Sequence, residues 1–515
     1  MQLTQSVHRL VQRDPDNVMT IYGDRQRSAR EFADRIARLA GALRSLGVAS
    51  GDRVGILSMN SDRYLEYYFA VPWADAVTNS VNIRWSAPEI AYSLKDCDTR
   101  VLLVDDTFAP LVPALREQFD GLTTVIYCGD ATAPDGMLDY EALVAGAMPI
   151  EDAERGGKQL AAVFYTGGTT GFPKGVMLSH DNLVVSAMGC LASESFVTTG
   201  GRYLHAAPMF HLADVAGMNA AMLAGAAHVI VPSFTAVGVL DAIARHQVTD
   251  TLIVPTMIQM LVDHPDAANT DLSSVRHVLY GASPISEAVL ERASKAFPTA
   301  DFVQAYGMTE LSPVATLLSA ADHHVPRLRR AAGRPAVHAK VRIVDEYDNE
   351  VPRGTVGEIA VAGDHVMLGY WDKPEETAAA LRGGWMHTGD GGFMDEQGYV
   401  FVVDRIKDMI VTGGENVYSV EVENAVTKHP AVAACAVIGI PDEKYGELVH
   451  AVVVLHDGAS VEPTELTDFC RAAIANYKVP RSFAFVEALP VSGAGKVLKR
   501  ELRQMHWGDN ERAVN

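Results

Sequence analysis

Between Tyr165 and Gly175 the chain reads Tyr165-Thr166-Gly167-Gly168-Thr169-Thr170-Gly171-Phe172-Pro173-Lys174-Gly175. Glycine tolerates positive φ and lets the backbone approach a ligand closely. Consecutive amides in such a turn converge on an anion, and hydroxyls add donors. The ammonium of Lys174 supplies a point charge for a phosphate oxygen. The apolar run Leu160–Phe164 before the loop and Gly175–His180 after it read as strands. A phosphate-cradling loop between strands is therefore expected. It is not a Walker A loop, because Pro173 stands where that motif has glycine before the lysine. Nor is it a dinucleotide fingerprint: the nearest attempt, Gly389-Asp390-Gly391, lacks the third glycine. Composition alone equally describes a surface turn, so other residues must decide.

Tyr306-Gly307-Met308-Thr309-Glu310 puts an aromatic face, a hydroxyl and a carboxylate in one turn. Such a set can stack a base, touch a phosphate and hold Mg2+, which prefers one or two carboxylates with phosphate oxygens and water. In isolation it is also an ordinary strand end leading into a helix. Asp390 after Thr388-Gly389 is a common turn residue. Arg405 and Lys407 in Asp404-Arg405-Ile406-Lys407-Asp408 suit a solvated linker. Pro490–Lys496 is a flexible loop ending in one lysine. His211 in Pro208-Met209-Phe210-His211 suits a satisfied core histidine. His323-His324 has no partner at metal-ligand spacing and reads as loop. Glu421 and Glu423, on a predicted helix, are expected to face solvent.

The elements that must position these residues alternate. Val54–Ser58, a helix from Arg63 to Ala74, and Arg100–Asp105 imply a parallel sheet with helices on its faces. A helix over His180–Leu191 and strands at Ala226–Val231, Thr251–Val254 and Val278–Gly281 continue the pattern. Binding loops in such sheets lie at the carboxyl ends of strands. From about residue 333 the texture changes to short strands, Val341–Asp345, Gly357–Val361 and Tyr399–Val403, separated by Gly, Pro and Asp turns. After Lys407 a helix from Ser419 to Lys428, strands Val432–Ile440 and Val449–Leu455, and a helix from Pro463 to Ala475 describe a compact α+β unit.

A chain of 515 residues is too long for one core. A formal net charge of −21 argues against nonspecific nucleic-acid binding. It also means that local positive charge must hold any anionic substrate. The five cysteines lie far apart without a CxxC, so neither a disulfide framework nor a zinc site is expected, and a reducing cytoplasm suits them. No apolar signal segment opens the chain. The stretch from Gly217 to Phe234 is broken by Asn219, His228 and Pro232, so a buried helix followed by a strand is expected there rather than a membrane span.

Taken together, the motifs at 165–175, 306–310, 387–390, 404–408 and 490–496 resemble those of the AMP-forming, adenylate-forming superfamily of acyl-CoA synthetases, luciferases and peptide-synthetase adenylation domains. The fold implied is α/β. A large N-terminal domain, residues 1–404, has parallel-type sheets with flanking helices and a β-rich subdomain at about 333–404. A small mobile α+β C-terminal domain, 408–515, turns about a hinge near Lys407.

The resemblance implies ATP contacts from Thr166, Gly167, Gly168, Thr169, Thr170, Gly171 and Lys174. Gly281, Ala282 and Ser283 would form one adenine wall, with Gln304, Ala305, Tyr306, Gly307 and Met308 opposite. Thr309 would reach the α-phosphate, and Glu310 with Thr166 would hold Mg2+. Asp390 and Arg405 would take the ribose, and His211 would line the acyl pocket. Lys496 would enter the site for adenylation and withdraw as the domain turns. Gly413 and Gly414 would then face the site as CoA attacks. Gly167 replaces the family's usual serine, which removes one hydroxyl but no amide, so an altered ATP affinity is expected.

The expected partners are a carboxylic acid, ATP and CoA, with no nucleic acid and with a homodimer left open. Gly307 stands where acetate-specific relatives carry tryptophan, which suggests a medium- or long-chain fatty acid, with aryl acids as the alternative. An amide-forming or separate-carrier adenylation enzyme, a luciferase-like oxidase and a non-catalytic nucleotide binder remain open. The short stretch after Lys496 leaves no room for a fused carrier domain.

Overall fold

The computed structural model of the protein describes residues 1–166, 173–283, 285–413, 415–442, 444–491 and 497–507. Gly167, Gly168, Thr169, Thr170, Gly171, Gly414 and Lys496, all given site roles above, lie outside the described residues. Packing divides the chain into two units: Met1–Val341 with Val361–Met386, and Arg342–Ala360 with His387–Asn515.

Among the described residues the first unit holds an eight-stranded and a nine-stranded sheet. In the eight-stranded sheet Val77–Ser80, Arg53–Leu57, Val101–Val104 and Thr124–Tyr127 run parallel. One side of it carries the antiparallel hairpin Leu160–Thr166 and Lys174–Ser179, with Gly369–Tyr370 beyond it. The nine-stranded sheet has a parallel centre, including Arg202–His205, Asp250–Leu252, His277–Gly281 and Asp301–Tyr306, and antiparallel ends.

The helix Asp62–Trp73 is buried at every residue. It touches Val18–Tyr22 of the nine-stranded sheet and both Arg53–Leu57 and Val77–Ser80 of the eight-stranded one. A helix covered on all sides has no polar face to show, which is why its amphipathic period is weak. His180–Ser193 and Leu212–Ala224 pack on each other, the first against Lys174–Ser179 and the second against the middle of the nine-stranded sheet. Ser179 opens the former with a capping box to Asn182. Gly225, at φ 70°, closes the latter in the left-handed region that favours glycine. The helix and strand expected across 217–234 are these residues and Ala227–Ile230. No helix among the described residues is long and apolar enough to cross a membrane.

The second unit contains most of a four-stranded sheet, Lys340–Val344, Gly357–Ala362, Met386–Met394 and Val400–Arg405. Its other sheet pairs Glu415–Val417, Ile410–Thr412, Gly446–Leu455, Val432–Asp442 and Ser482–Phe485. Helices Ser419–Val426 and Pro463–Arg471 contribute Val422, Val426, Leu466 and Cys470 to a core with Val437, Val449 and Val453.

Here one expectation is corrected. Glu423 does not face solvent: its side chain is 19% exposed and its Oε1 lies 2.8 Å from Lys499 Nζ. The same oxygen accepts from Val437 N–H at 2.8 Å. Lys499, on the last described helix, covers the face that a two-turn pattern in isolation assigned to water.

Candidate active site

The hairpin register sets Thr166 opposite Lys174 and Tyr165 opposite Gly175. The lysine that follows the Gly/Thr loop therefore returns beside the residue that starts it. Gly175 is required by crowding: a Cβ there would meet Val163 at 2.9 Å, Tyr165 at 3.0 Å and Trp371 at 3.2 Å. Tyr165 Oη donates to Asp96 Oδ2 at 2.6 Å, and Trp371 Nε1 donates to the Asp96 carbonyl at 3.0 Å. Burial, first of all, pushes the Tyr165 phenol up, so it stays a donor. The first bond holds the strand that leads into the loop, and Trp371 N–H, donating to the Gly175 carbonyl at 2.7 Å, holds the strand that follows it.

The second motif ends a parallel pair in which Gly281 lies opposite Ala305 and Tyr280 opposite Gln304. A Cβ on Gly281 would fall 2.3 Å from the Ala305 carbonyl oxygen, so only glycine lets these backbones approach. Ala282 follows in the left-handed region at φ 66°. Thr309–Leu311 form a single 3-10 turn. Within it Glu310 is buried, accepts from Tyr370 Oη at 2.9 Å on Oε1, and offers its carbonyl to Met367 N–H at 2.9 Å. The ring of Tyr370 also faces Lys174, whose Nζ lies 5.1 Å from its centroid. Lys174 and Glu310, far apart in sequence, are thus linked through one tyrosine.

Gly307 corrects the reasoning about pocket size. A Cβ there would lie 2.0 Å from the Pro313 carbonyl oxygen and 3.0 Å from Ala315 N. The position does not open into free space in that direction, so glycine here answers a close backbone approach. His211 precedes the helix Leu212–Ala224, half-buried, its ring tilted against Phe210 with centroids 4.1 Å apart. That helix lends Ala216 and Gly217 to a small apolar cavity with Cys190, Phe196, Leu279 and Val314. Leu279 lies two residues before Gly281, so the cavity adjoins the second motif. His323 belongs to a short 3-10 turn, with Nε2 2.7 Å from Tyr280 Oη.

In the second unit Asp390 and Arg405 are direct cross-strand neighbours, Arg405 Nε 3.0 Å from Asp390 Oδ1. Asp404 accepts from Ser419 N–H at 2.6 Å. Lys407 lies in the turn Ile406–Asp408. Although its side chain is exposed, desolvation of the part that is covered and the charge of Arg405 lower its ammonium to about 8. Gly413, at φ 61°, donates its N–H to the Tyr445 carbonyl at 2.8 Å.

Sequence reasoning missed Tyr370, Trp371 and Asp96. It also missed a fully buried chain in which His205 lies 2.7 Å from Asp214 and 2.8 Å from His228. Lone polar residues inside apolar runs carry no local signal of their partners. Tyr370 could have been flagged only as an aromatic beside Gly369 in a stretch of turns.

The chain matches the AMP-binding enzyme family over residues 7–371 and the AMP-binding enzyme C-terminal domain over residues 421–496. It is 40% identical over 476 residues to a feruloyl-CoA synthase of Amycolatopsis sp, covering 92% of this chain and 93% of that one. It is 36% identical over 523 residues to the fatty acid–(acyl-carrier-protein) ligase ScoC of Streptomyces coeruleorubidus, covering 99% and 97%. The crystal structure of the anthranilate CoA ligase AuaEII in complex with anthranoyl-AMP matches with a TM-score of 0.91 at 27% identity, over 98% of this chain and 97% of that one. The chain belongs to the AMP-binding enzyme family and is an AMP-forming acid–thiol ligase. ATP, Mg2+ and CoA are the cosubstrates and cofactor of that family.

The donor set fits magnesium. Among the described residues no three His, Cys, Asp or Glu side chains are grouped so that they could hold a metal ion. A single buried carboxylate, Glu310, suits an ion whose other ligands are phosphate oxygens and water.

Proposed function

We propose that the protein activates an apolar carboxylic acid, a medium- or long-chain fatty acid first, as acyl-AMP and then transfers the acyl group to CoA. The observation that supports this most is the meeting of Lys174 and Glu310 on Tyr370, which brings a phosphate-binding cation and a metal-binding carboxylate to one place.

In the first half-reaction the acid's carboxylate attacks the α-phosphorus of ATP and pyrophosphate leaves. Two anions must approach each other. The amides and hydroxyls of 166–171 and the Lys174 ammonium hold the terminal phosphates. Tyr306 and the wall 281–283 sandwich adenine, Thr309 contacts the α-phosphate, and Asp390 with Arg405 orients the ribose. The role proposed for Lys496, which lies outside the described residues, is to bring an ammonium between carboxylate and α-phosphate, stabilising charge as it redistributes and orienting the acid. Glu310 and Thr166 would hold magnesium, which would supply charge neutralisation for the departing pyrophosphate. In the second half-reaction the C-terminal part pivots at Lys407, Lys496 withdraws, and Gly413 and Gly414 turn to the site. The CoA sulfur then attacks the acyl carbonyl, and AMP leaves.

The fatty acid ligase relative supports an acid with a hydrocarbon tail. An aryl acid is the second reading, supported by the feruloyl-CoA synthase relative. Five unpaired thiols suit a cytoplasmic location, and a homodimer completes the proposal. The test is AMP release with CoA over acids from acetate to long-chain, aryl and dicarboxylic. A preference for fatty acids is expected; a preference for dicarboxylates would overturn the substrate reading.

A further inference from the structure

Tyr370 belongs to none of the motifs named above, yet it touches two of them. It lies in the two-residue strand Gly369–Tyr370, added antiparallel to Lys174–Ser179, with Tyr370 opposite Val176. The backbone is seated without help from its side chain. Tyr370 N–H donates to Thr377 Oγ1 at 2.9 Å, and Trp371 N–H donates to the Gly175 carbonyl at 2.7 Å. The side chain is left to link two groups that neither sheet connects. Its hydroxyl donates to Glu310 Oε1 at 2.9 Å, and its ring lies under the Lys174 ammonium, 5.1 Å from the centroid.

Both members of the hydroxyl–carboxylate bond are shielded from water, Tyr370 at 9% exposure and Glu310 at 6%. A charge-assisted bond in such a place holds the carboxylate in one rotamer. Outer-sphere donors of this kind orient the ligands of a metal. The ring does a different task, because a π face holds an ammonium without removing its donors.

The geometry points to Tyr370 as a positioning residue for the nucleotide: its hydroxyl aims Glu310 at the metal, and its ring seats Lys174 beside the same triphosphate. This rests on the assignment of Glu310 to Mg2+ and Lys174 to phosphate made above. It goes further in separating two contributions to ATP binding. The hydroxyl governs the metal-dependent part, and the ring governs the metal-independent part.

The test measures binding, with no turnover required. Mn2+ is titrated into the full-length protein with ATP by electron paramagnetic resonance, and ATP is titrated without metal by calorimetry. Tyr370→Phe is expected to weaken Mn2+ binding in the ternary complex by about 10- to 100-fold and to leave metal-free ATP binding unchanged. Tyr370→Leu is expected to weaken metal-free ATP binding as well, by about 2- to 5-fold. Glu310→Gln should weaken Mn2+ binding, and adding Tyr370→Phe to it should cost nothing more. If Glu310→Gln leaves Mn2+ binding intact, the metal assignment itself fails. If Glu310→Gln weakens Mn2+ while Tyr370→Phe matches the parent, only the role of Tyr370 is overturned. Should Tyr370→Phe fail to fold, 3-fluorotyrosine at position 370 preserves the shape. Its 19F signal must broaden when Mn2+ is added with ATP, and a signal that Mn2+ does not touch overturns the proposal.

Discussion

Arg405 Nε lies 3.0 Å from Asp390 Oδ1, and the two residues are direct partners in the pairing of Met386–Met394 with Val400–Arg405. The strands hold both backbones, so the pair is organised before any nucleotide arrives. Arg405 is 40% exposed, and an ion pair this wet contributes less than about 1 kcal/mol to stability. Arg405→Lys is therefore expected to melt within a few degrees of the parent while the KM for ATP rises roughly tenfold, because an ammonium lacks the planar fork of donors. Calorimetry and thermal unfolding measured together check this. A large stability loss with unchanged ATP affinity would remove the ribose role.

Gly307 tests a different term. With the Pro313 carbonyl 2.0 Å from where a Cβ would sit, Gly307→Ala must displace backbone. Overpacking of this kind costs about 1–3 kcal/mol, read as a lowered denaturant midpoint. Activity toward short and long acids should fall by a similar factor. A variant that is stable and selectively loses long-chain acids would restore the view that this position gates the pocket.

His365 gives the chain a pH dependence of known sign. It is fully buried with its ring edge-on to His338, centroids 4.6 Å apart. Burial, and then the His338 charge, lower it from the ordinary 6.5 to about 3. Between those values the unfolded chain binds a proton that the folded chain refuses, so stability falls as pH falls from 6.5 toward 3. His365→Phe is expected to flatten that limb relative to the parent in urea unfolding across pH. Parallel limbs in the two proteins would show that the imidazole does not contribute.

Lys496→Ala is expected to split the two half-reactions. Acid-dependent exchange of pyrophosphate into ATP should drop by about 100- to 1,000-fold, the usual loss when one stabilising donor is removed. Thioester formation from supplied acyl-adenylate and CoA should survive. Equal loss of both would contradict a role confined to adenylation.

The sequence alone determined the alternating elements, because hydrophobic period depends on neighbours within a few residues. It determined the loop chemistry for the same reason: Thr166, Lys174 and the glycines between them are contiguous. The antiparallel pairing of those two strands, and with it the return of Lys174 beside Thr166, came from the structure.

Tertiary structure decided what lies across long separations. Glu423 pairs with Lys499 because a late helix covers its face, and no pattern within its own two turns reports that cover. Gly307 meets Pro313 because the chain turns back tightly after the 3-10 turn, so a residue that reads as open space is in fact a close approach. Tyr370 joins Lys174 to Glu310 because a two-residue strand is laid along a hairpin from far earlier in the chain. Side-chain contacts of this range depend on the packed sheets as a whole, and neither composition nor spacing carries them.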